Sequence, residues 1–343
     1  MGPWLRAFLT ALAAVGLAAL LWRRPNFGPD FLVFWNASQH LFDAVYAFKA
    51  APGQPGPLVY PPPFLLLLLP ISLLTAQAAF LTWVGASTAA FIAAGDRLAG
   101  KFTPLVMLSP PVVFAAATGQ TTLLIGAALM AGLSLMSRPI LAGVLLGAAL
   151  SLKPQVAFLA PLGLVFCGQW KVLATMAVTA VGLAAVTSLI FGPTIWLDWL
   201  RTLPAFMRLG AERRLVGVSL APDAGPVLRA LLILGGAALT WRAFRQEDVA
   251  TRIIVAVGAS LACSPHAQGY DTGLLAPAAL ALLLRRSWSI APSAAFLLGY
   301  LQSPLLFAAF VIVCGSGVFG HLDRAFPVPA VRWPSRTPPK IAD

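Results

Sequence analysis

Residues 62–95 read PPFLLLLLPISLLTAQAAFLTWVGASTAAFIAAG and contain no charged residue. The stretch divides into two apolar runs, about 62–76 and 77–95, punctuated by proline and small residues. A helix needs about 20 apolar residues to cross a bilayer. A barrel strand would show short alternating segments instead. The pattern therefore predicts membrane helices.

The same reading extends over the chain. Apolar segments fall at about 7–22, 62–76, 77–95, 102–118, 121–136, 139–152, 155–167, 172–191, 226–243, 252–263, 272–284, 288–303 and 304–320. The chain is 59% hydrophobic and 10% charged, with a mean hydropathy of +0.86. Soluble domains carry about 25% charged residues. The expectation is an all-α, polytopic transmembrane bundle of roughly 11–13 membrane helices, with a single transmembrane domain over 1–320. "SPP" at 109–111 should break the 102–118 segment into two half-helices or a bent one.

Net charge is +12, but the basic residues sit singly or in pairs between apolar runs. That placement suits membrane orientation and anionic head groups, and no nucleic-acid partner is expected. Cys167, Cys263 and Cys314 lie in or beside apolar segments without CxxC spacing and read as buried apolar side chains. The first run ends in Trp22-Arg23-Arg24 with no small-residue cleavage site, so it is expected to stay as a span rather than leave as a signal peptide.

Three stretches are not apolar: 23–61, 192–225 and a basic, Pro-rich tail over 321–343, expected to be disordered and cytoplasmic. With a cytoplasmic N-terminus, Asp30, "GQ" at 119–120, "KPQ" at 153–155, the 192–225 loop and "SPHAQGYD" at 264–271 share the outer face. Lysine and arginine split almost evenly between the faces, although the short loops after residue 137 favour this orientation.

Ionisable groups at membrane depth are costly and suggest function. Asp30 lies in "NFGPDFLVFWNASQ", among Phe27, Phe31, Phe34 and Trp35. Apolar residues at near-helical spacing from Asp30 to Phe48 predict an interfacial amphipathic helix with Asp30 at its start. Asp30 there serves as an N-cap, as a reactive carboxylate, or as both. Tyr60 precedes the three prolines that open the second run, a helix-start signal that also suits an interfacial tyrosine. Gln120 starts another run, and Lys153 and Gln155 stand at a junction where the lysine either snorkels or meets an anion. His266, Tyr270 and Asp271 form a polar cluster at the end of a later run, for loop packing or for chemistry. Arg208, Arg213 and Arg214 make the long loop basic, either as a solvated patch or as an anion site.

The chain lacks a Walker A loop, an HExxH or other metal-ligand spacing, a GxSxG elbow and a DxD pair. No metal and no cofactor is expected. One outer carboxylate, cationic groups and a greasy body suit group transfer from a lipid-carried phosphate, the carboxylate acting as general base and the cations stabilising the leaving phosphate. A transporter or lipid-linked-sugar flippase is the alternative, although its polar groups belong at mid-span. A non-catalytic membrane scaffold is a third.

The ordered motifs "PDFLVFWNASQHL", "YPPPF", "GQTT", "LSLKPQ" and "SPHAQGYD" resemble glycosyltransferase family 87, also called domain-of-unknown-function family 2029. That family belongs to the GT-C superfamily and includes polyprenol-phosphate-mannose-dependent mannosyltransferases. The resemblance implies a multi-pass protein of the cell membrane with its active site on the outer or periplasmic face. It implies inverting transfer of a hexose, mannose above all, from a polyprenyl-phosphate sugar to a lipid or glycan hydroxyl, in building the cell-envelope glycan. Asp30 matches the family's catalytic acid by position. His266 matches a histidine that binds donor phosphate or orients acceptor. Lys153, Gln155, Gln120, Asp271, Tyr60, Arg213 and Arg214 complete the expected donor- and acceptor-binding set. The chain is short for the group, with spare outer loops.

Overall fold

A computed structural model describes residues 1–24, 27–43, 45–46, 58–212, 217–220, 225–245, 248–285, 289–301 and 303–325. Among them the fold is a bundle of helices without a named strand. Proline opens many of the elements: Pro3–Leu21, Pro29–Ser38, Pro110–Thr118, Pro139–Leu152, Pro226–Phe244 and Pro304–Gly315. Its missing N–H falls where a helix leaves donors unpaired anyway, and its fixed φ already suits the helix.

Four helical stretches are long and apolar enough to cross a membrane by themselves: Pro3–Leu21, Ala76–Leu108, Trp170–Phe191 and Pro226–Phe244. Six more are apolar but only 10–17 residues long. Proline and glycine breaks divide the remaining apolar runs into these shorter pieces. The break at "SPP" is real, with a 3-10 turn over Gly100–Leu108 followed by the helix Pro110–Thr118.

Pro3–Leu21, Trp170–Phe191 and Pro226–Phe244 expose most of their apolar residues, as helices facing lipid do, whereas Val249–Cys263 and Ala276–Leu284 are buried nearly all round. The exposed Trp170–Phe191 packs along Pro139–Leu152, where Gly143 and Gly147 let the backbones close together. A second, aromatic core gathers Phe31, Phe34, Phe64, Phe80 and Trp83 beneath the helix Pro29–Ser38.

The helices carry their polar ends in two groups. Arg138, Asp248 and Arg285 mark one end of Pro139–Leu152, Val249–Cys263 and Ala276–Leu284; Lys153, Ser264 and Asp271 mark the other. Arg6 bonds Asp96 at 2.9 Å and staples Pro3–Leu21 to Ala76–Ala99. Asp96 lies about 24 Å along that helix from Phe80, at 1.5 Å per residue, and so far from the aromatic core.

Three expectations need correction. The amphipathic helix runs over Pro29–Ser38, not to Phe48; turns follow to Asp43, and Phe42 is exposed rather than on the buried face. The helix Ile195–Glu212 occupies much of the supposed loop 192–225. Its alternating Trp, Leu, Asp and Arg lower the local hydropathy while keeping a helical apolar face. The helix Val318–Ala325 takes in the first residues of the tail, and residues 326–343 lie outside the described residues.

Candidate active site

The site begins with backbone. The helix Pro29–Ser38 starts after Gly28, which adopts a left-handed φ of 71° and donates its N–H to Ala117 O at 2.8 Å. Asp30 is therefore the second helical residue and not the cap; its carboxylate makes no capping bond. Gly119, at φ 76°, ends the helix Pro110–Thr118. A Cβ there would lie 2.5 Å from Phe31 Cβ and 2.9 Å from Phe80, so only glycine admits the approach. The "GQ" pair thus does two things: Gly119 seats the Asp30 helix, and Gln120 follows immediately, with its side chain buried.

One turn beyond Asp30, Phe34 meets the Tyr60 ring edge-on at 5.3 Å. Tyr60 also stacks on Phe64 at 4.4 Å. Its hydroxyl donates to Gln120 Oε1 at 3.2 Å and shares a 2.9 Å hydrogen bond with Thr121 Oγ1. Asp30 is half-buried, and among the described residues it forms no ion pair.

Lys153 caps the helix Pro139–Leu152, and Pro154 then turns the chain. Its Nζ meets Asp271 Oδ1 at 2.5 Å, with both side chains more than nine-tenths buried. The ammonium also lies 5.8 Å from the Tyr60 ring and 5.4 Å from the Tyr270 ring. Asp271 is committed on its other side too: Oδ2 accepts the Gln268 N–H at 3.2 Å in a capping box, and Thr122 Oγ1 donates to Oδ1 at 3.4 Å. The lysine charge is thereby matched by a carboxylate inside the protein.

His266 stands on the loop between Cys263 and Gly269, its Nε2 3.4 Å from Gln268 Nε2. Ser264 Oγ accepts the His266 N–H at 3.2 Å and donates to its carbonyl at 3.0 Å. Burial lowers the imidazole pKa below its ordinary value; Asp271 opposes the shift and the Lys153 ammonium reinforces it.

Asp30, Tyr60, Gln120, Lys153, His266 and Asp271 thus gather at one end of the bundle. Gln155 sits in the 3-10 turn Pro154–Val156, half-buried, and no hydrogen bond among the described residues ties it to the group. Arg213 and Arg214 lie outside the described residues. Thr121 and Thr122 join the site without having been singled out from the sequence, although both stand in "GQTT". Tyr270 packs its ring on Phe114 at 6.0 Å and forms the second wall over Lys153.

The model of glycosyltransferase family 87 matches residues 58–265. The chain belongs to glycosyltransferase family 87. It is a membrane glycosyltransferase. No curated protein and no solved structure matches it. The matched residues include Tyr60, Gln120, Lys153 and Gln155 and stop one residue before His266. Asp30, His266 and Asp271 lie outside the match, yet in this family 87 chain Asp271 pairs with Lys153, the Asp30 helix packs on Tyr60 and Gly119, and Ala267, next to His266, bonds Val218, all partners inside it.

Proposed function

We propose that this family 87 enzyme transfers a hexose, with mannose the first candidate, from a polyprenyl-phosphate donor to a lipid or glycan hydroxyl at the outer face of the membrane. Asp30 takes the proton of the acceptor hydroxyl. The freed oxygen attacks the anomeric carbon from the side opposite the phosphate. The bond to the phosphate oxygen breaks, the phosphate leaves with the electron pair, and the configuration inverts.

One observation carries the reading: the two carboxylates of the site are unequally occupied. Asp271 is held by an ammonium, a hydroxyl and a backbone N–H. Asp30 is half-exposed and unpaired among the described residues, which leaves it free to accept a proton. Lys153 is assigned to the donor phosphate from within its pair with Asp271, and His266 to orienting the acceptor or the phosphate. Gln120 and Tyr60 line the same wall. Gln155, Arg213 and Arg214 are assigned the remaining phosphate and acceptor contacts.

The test uses labelled polyprenyl-phosphate mannose and an envelope lipid extract with detergent-solubilised protein. Sugar transfer without a sealed membrane is expected, and Asp30→Asn should lower the turnover by roughly 10²–10⁴-fold, the usual worth of a positioned base. Full turnover in Asp30→Asn would remove the base assignment. Movement of the intact donor across sealed vesicles with no transfer product would favour the flippase alternative.

A further inference from the structure

Tyr60 stands where the backbone can least hold itself. Residues 61–63 are all proline and have no N–H to donate. Tyr60, preceding a proline, is restricted to extended conformations. The carbonyls of Val59 and Tyr60 therefore need donors from elsewhere. Two side chains supply them: Tyr46 OH donates to Tyr60 O at 2.7 Å, and Trp199 Nε1 donates to Val59 O at 3.0 Å. Tyr46 comes from the outer loop that carries Asp30. Trp199 comes from the helix Ile195–Glu212, 140 residues away along the chain.

The 192–225 stretch that carries Trp199 also reaches the opposite wall of the site. Past the helix, Val218 N–H donates to Ala267 O at 3.1 Å, between His266 and Gln268, and Leu220 N–H donates to Ala262 O at 2.9 Å. One loop thus fastens the Tyr60 wall at its start and the His266 wall at its end. The helix face pointing away from Trp199 carries the exposed Leu197 and Leu200.

We propose that Trp199 is a positioning residue for the transfer: its indole N–H holds the Val59 carbonyl and, through it, the Tyr60 phenol beside Lys153 and Gln120. The proposal rests on the transferase reading above. Without that hydrogen bond the Tyr60 hydroxyl loses its fixed place against Gln120 and Thr121, and the wall facing Asp30 loosens.

The same helix provides a matched control. Trp196 Nε1 donates to Ser188 Oγ at 3.0 Å in the preceding span rather than to the Val59–Tyr60 backbone, and its ring meets the Trp199 ring edge-on at 6.2 Å, an aromatic contact for which phenylalanine at either position keeps a ring. Trp199→Phe and Trp196→Phe each remove one indole N–H from one helix and should shift the unfolding midpoint alike. Trp199→Phe alone should lower kcat, by roughly tenfold at most for one hydrogen bond. It alone should also speed hydrogen exchange at the Phe64 amide, whose N–H donates to Pro61 O at 2.9 Å next to Tyr60, measured on the 58–65 segment of the full-length protein in detergent. Equal exchange in the two variants overturns the proposal. Faster exchange in Trp199→Phe with unchanged kcat overturns it as well, because Trp199 is then structural only. If the wild-type protein makes no transfer product, the transferase reading fails, and the exchange comparison still judges whether Trp199 positions Tyr60.

Discussion

The ammonium of Lys153 and the carboxylate of Asp271 meet 2.5 Å apart although 118 residues separate them along the chain. The pair joins the end of Pro139–Leu152 to the start of the 3-10 turn Gly269–Leu275. It closes the floor of the site and decides which acid remains available. Removing one partner leaves the other charge buried and unmatched. Lys153→Met or Asp271→Asn should each cost about 3–5 kcal/mol. The double variant Lys153→Met/Asp271→Asn should cost much less than the sum. Unfolding midpoints in detergent, compared as a double-mutant cycle, measure the difference; simple additivity would mean that the pair contributes nothing as a pair.

Gly119 should not tolerate a side chain. Alanine there must hold a left-handed φ, at a cost of about 1–2 kcal/mol, and must displace Phe31, the neighbour of Asp30. Gly119→Ala should lower both the unfolding midpoint and transfer. A displacement of about 1 Å at a reacting group can cost 10²-fold in rate. Gly16→Ala, at a helical glycine with open space around it, should change neither.

Gly143 and Gly147 share one face of Pro139–Leu152, against Trp170–Phe191. A Cβ on Gly143 would lie 2.5 Å from Thr175 Cβ, and one on Gly147 would lie 2.6 Å from Met176 O. Small residues at this spacing let membrane helices associate by close packing. Gly147→Leu should destabilise by about 1–3 kcal/mol, whereas Gly182→Leu, beside open space, should be silent. Thermal unfolding in detergent or bicelles reads both.

Asp248 gives a pH dependence far from the site. It caps Val249–Cys263 through the N–H groups of Ala250 and Thr251 and pairs with Arg285. Burial raises its pKa, but the hydrogen bonds from Arg285 and Thr251 outweigh that, and the net shift is downward from 3.8. A carboxylate depressed on folding adds stability above its unfolded pKa and loses it as pH falls through the folded value. Asp248→Asn keeps a cap of equal rank but loses the charge paired with Arg285, and should therefore lower stability at pH 7 by up to about 1 kcal/mol, the worth of a partly exposed ion pair. The gap between variant and wild type should close as the pH drops below about 4, near the unfolded carboxyl pKa. A gap that stays constant with pH would contradict the ionic role.

Much of this protein is legible along the chain because membrane burial is a one-dimensional constraint. A helix in lipid must bond its own backbone and present apolar residues along its whole length. The apolar segments at 62–76, 139–152, 172–191 and 226–243 thus foretell the helices Pro62–Ile71, Pro139–Leu152, Trp170–Phe191 and Pro226–Phe244 within a few residues. Proline and glycine mark their ends for the same local reasons. The helix Ile195–Glu212 escaped this reading because only one of its faces is apolar.

What the sequence determined alone was the helical membrane body and the short roll of polar residues that could carry chemistry. It could not say that Asp271 belongs to Lys153, that Gly119 exists for Phe31, or that Trp199 serves the backbone beside Tyr60. These are contacts between residues far apart in the chain. Charge pairing, close packing and the donors needed by proline-locked carbonyls act through distance in space, and only the folded bundle sets that distance.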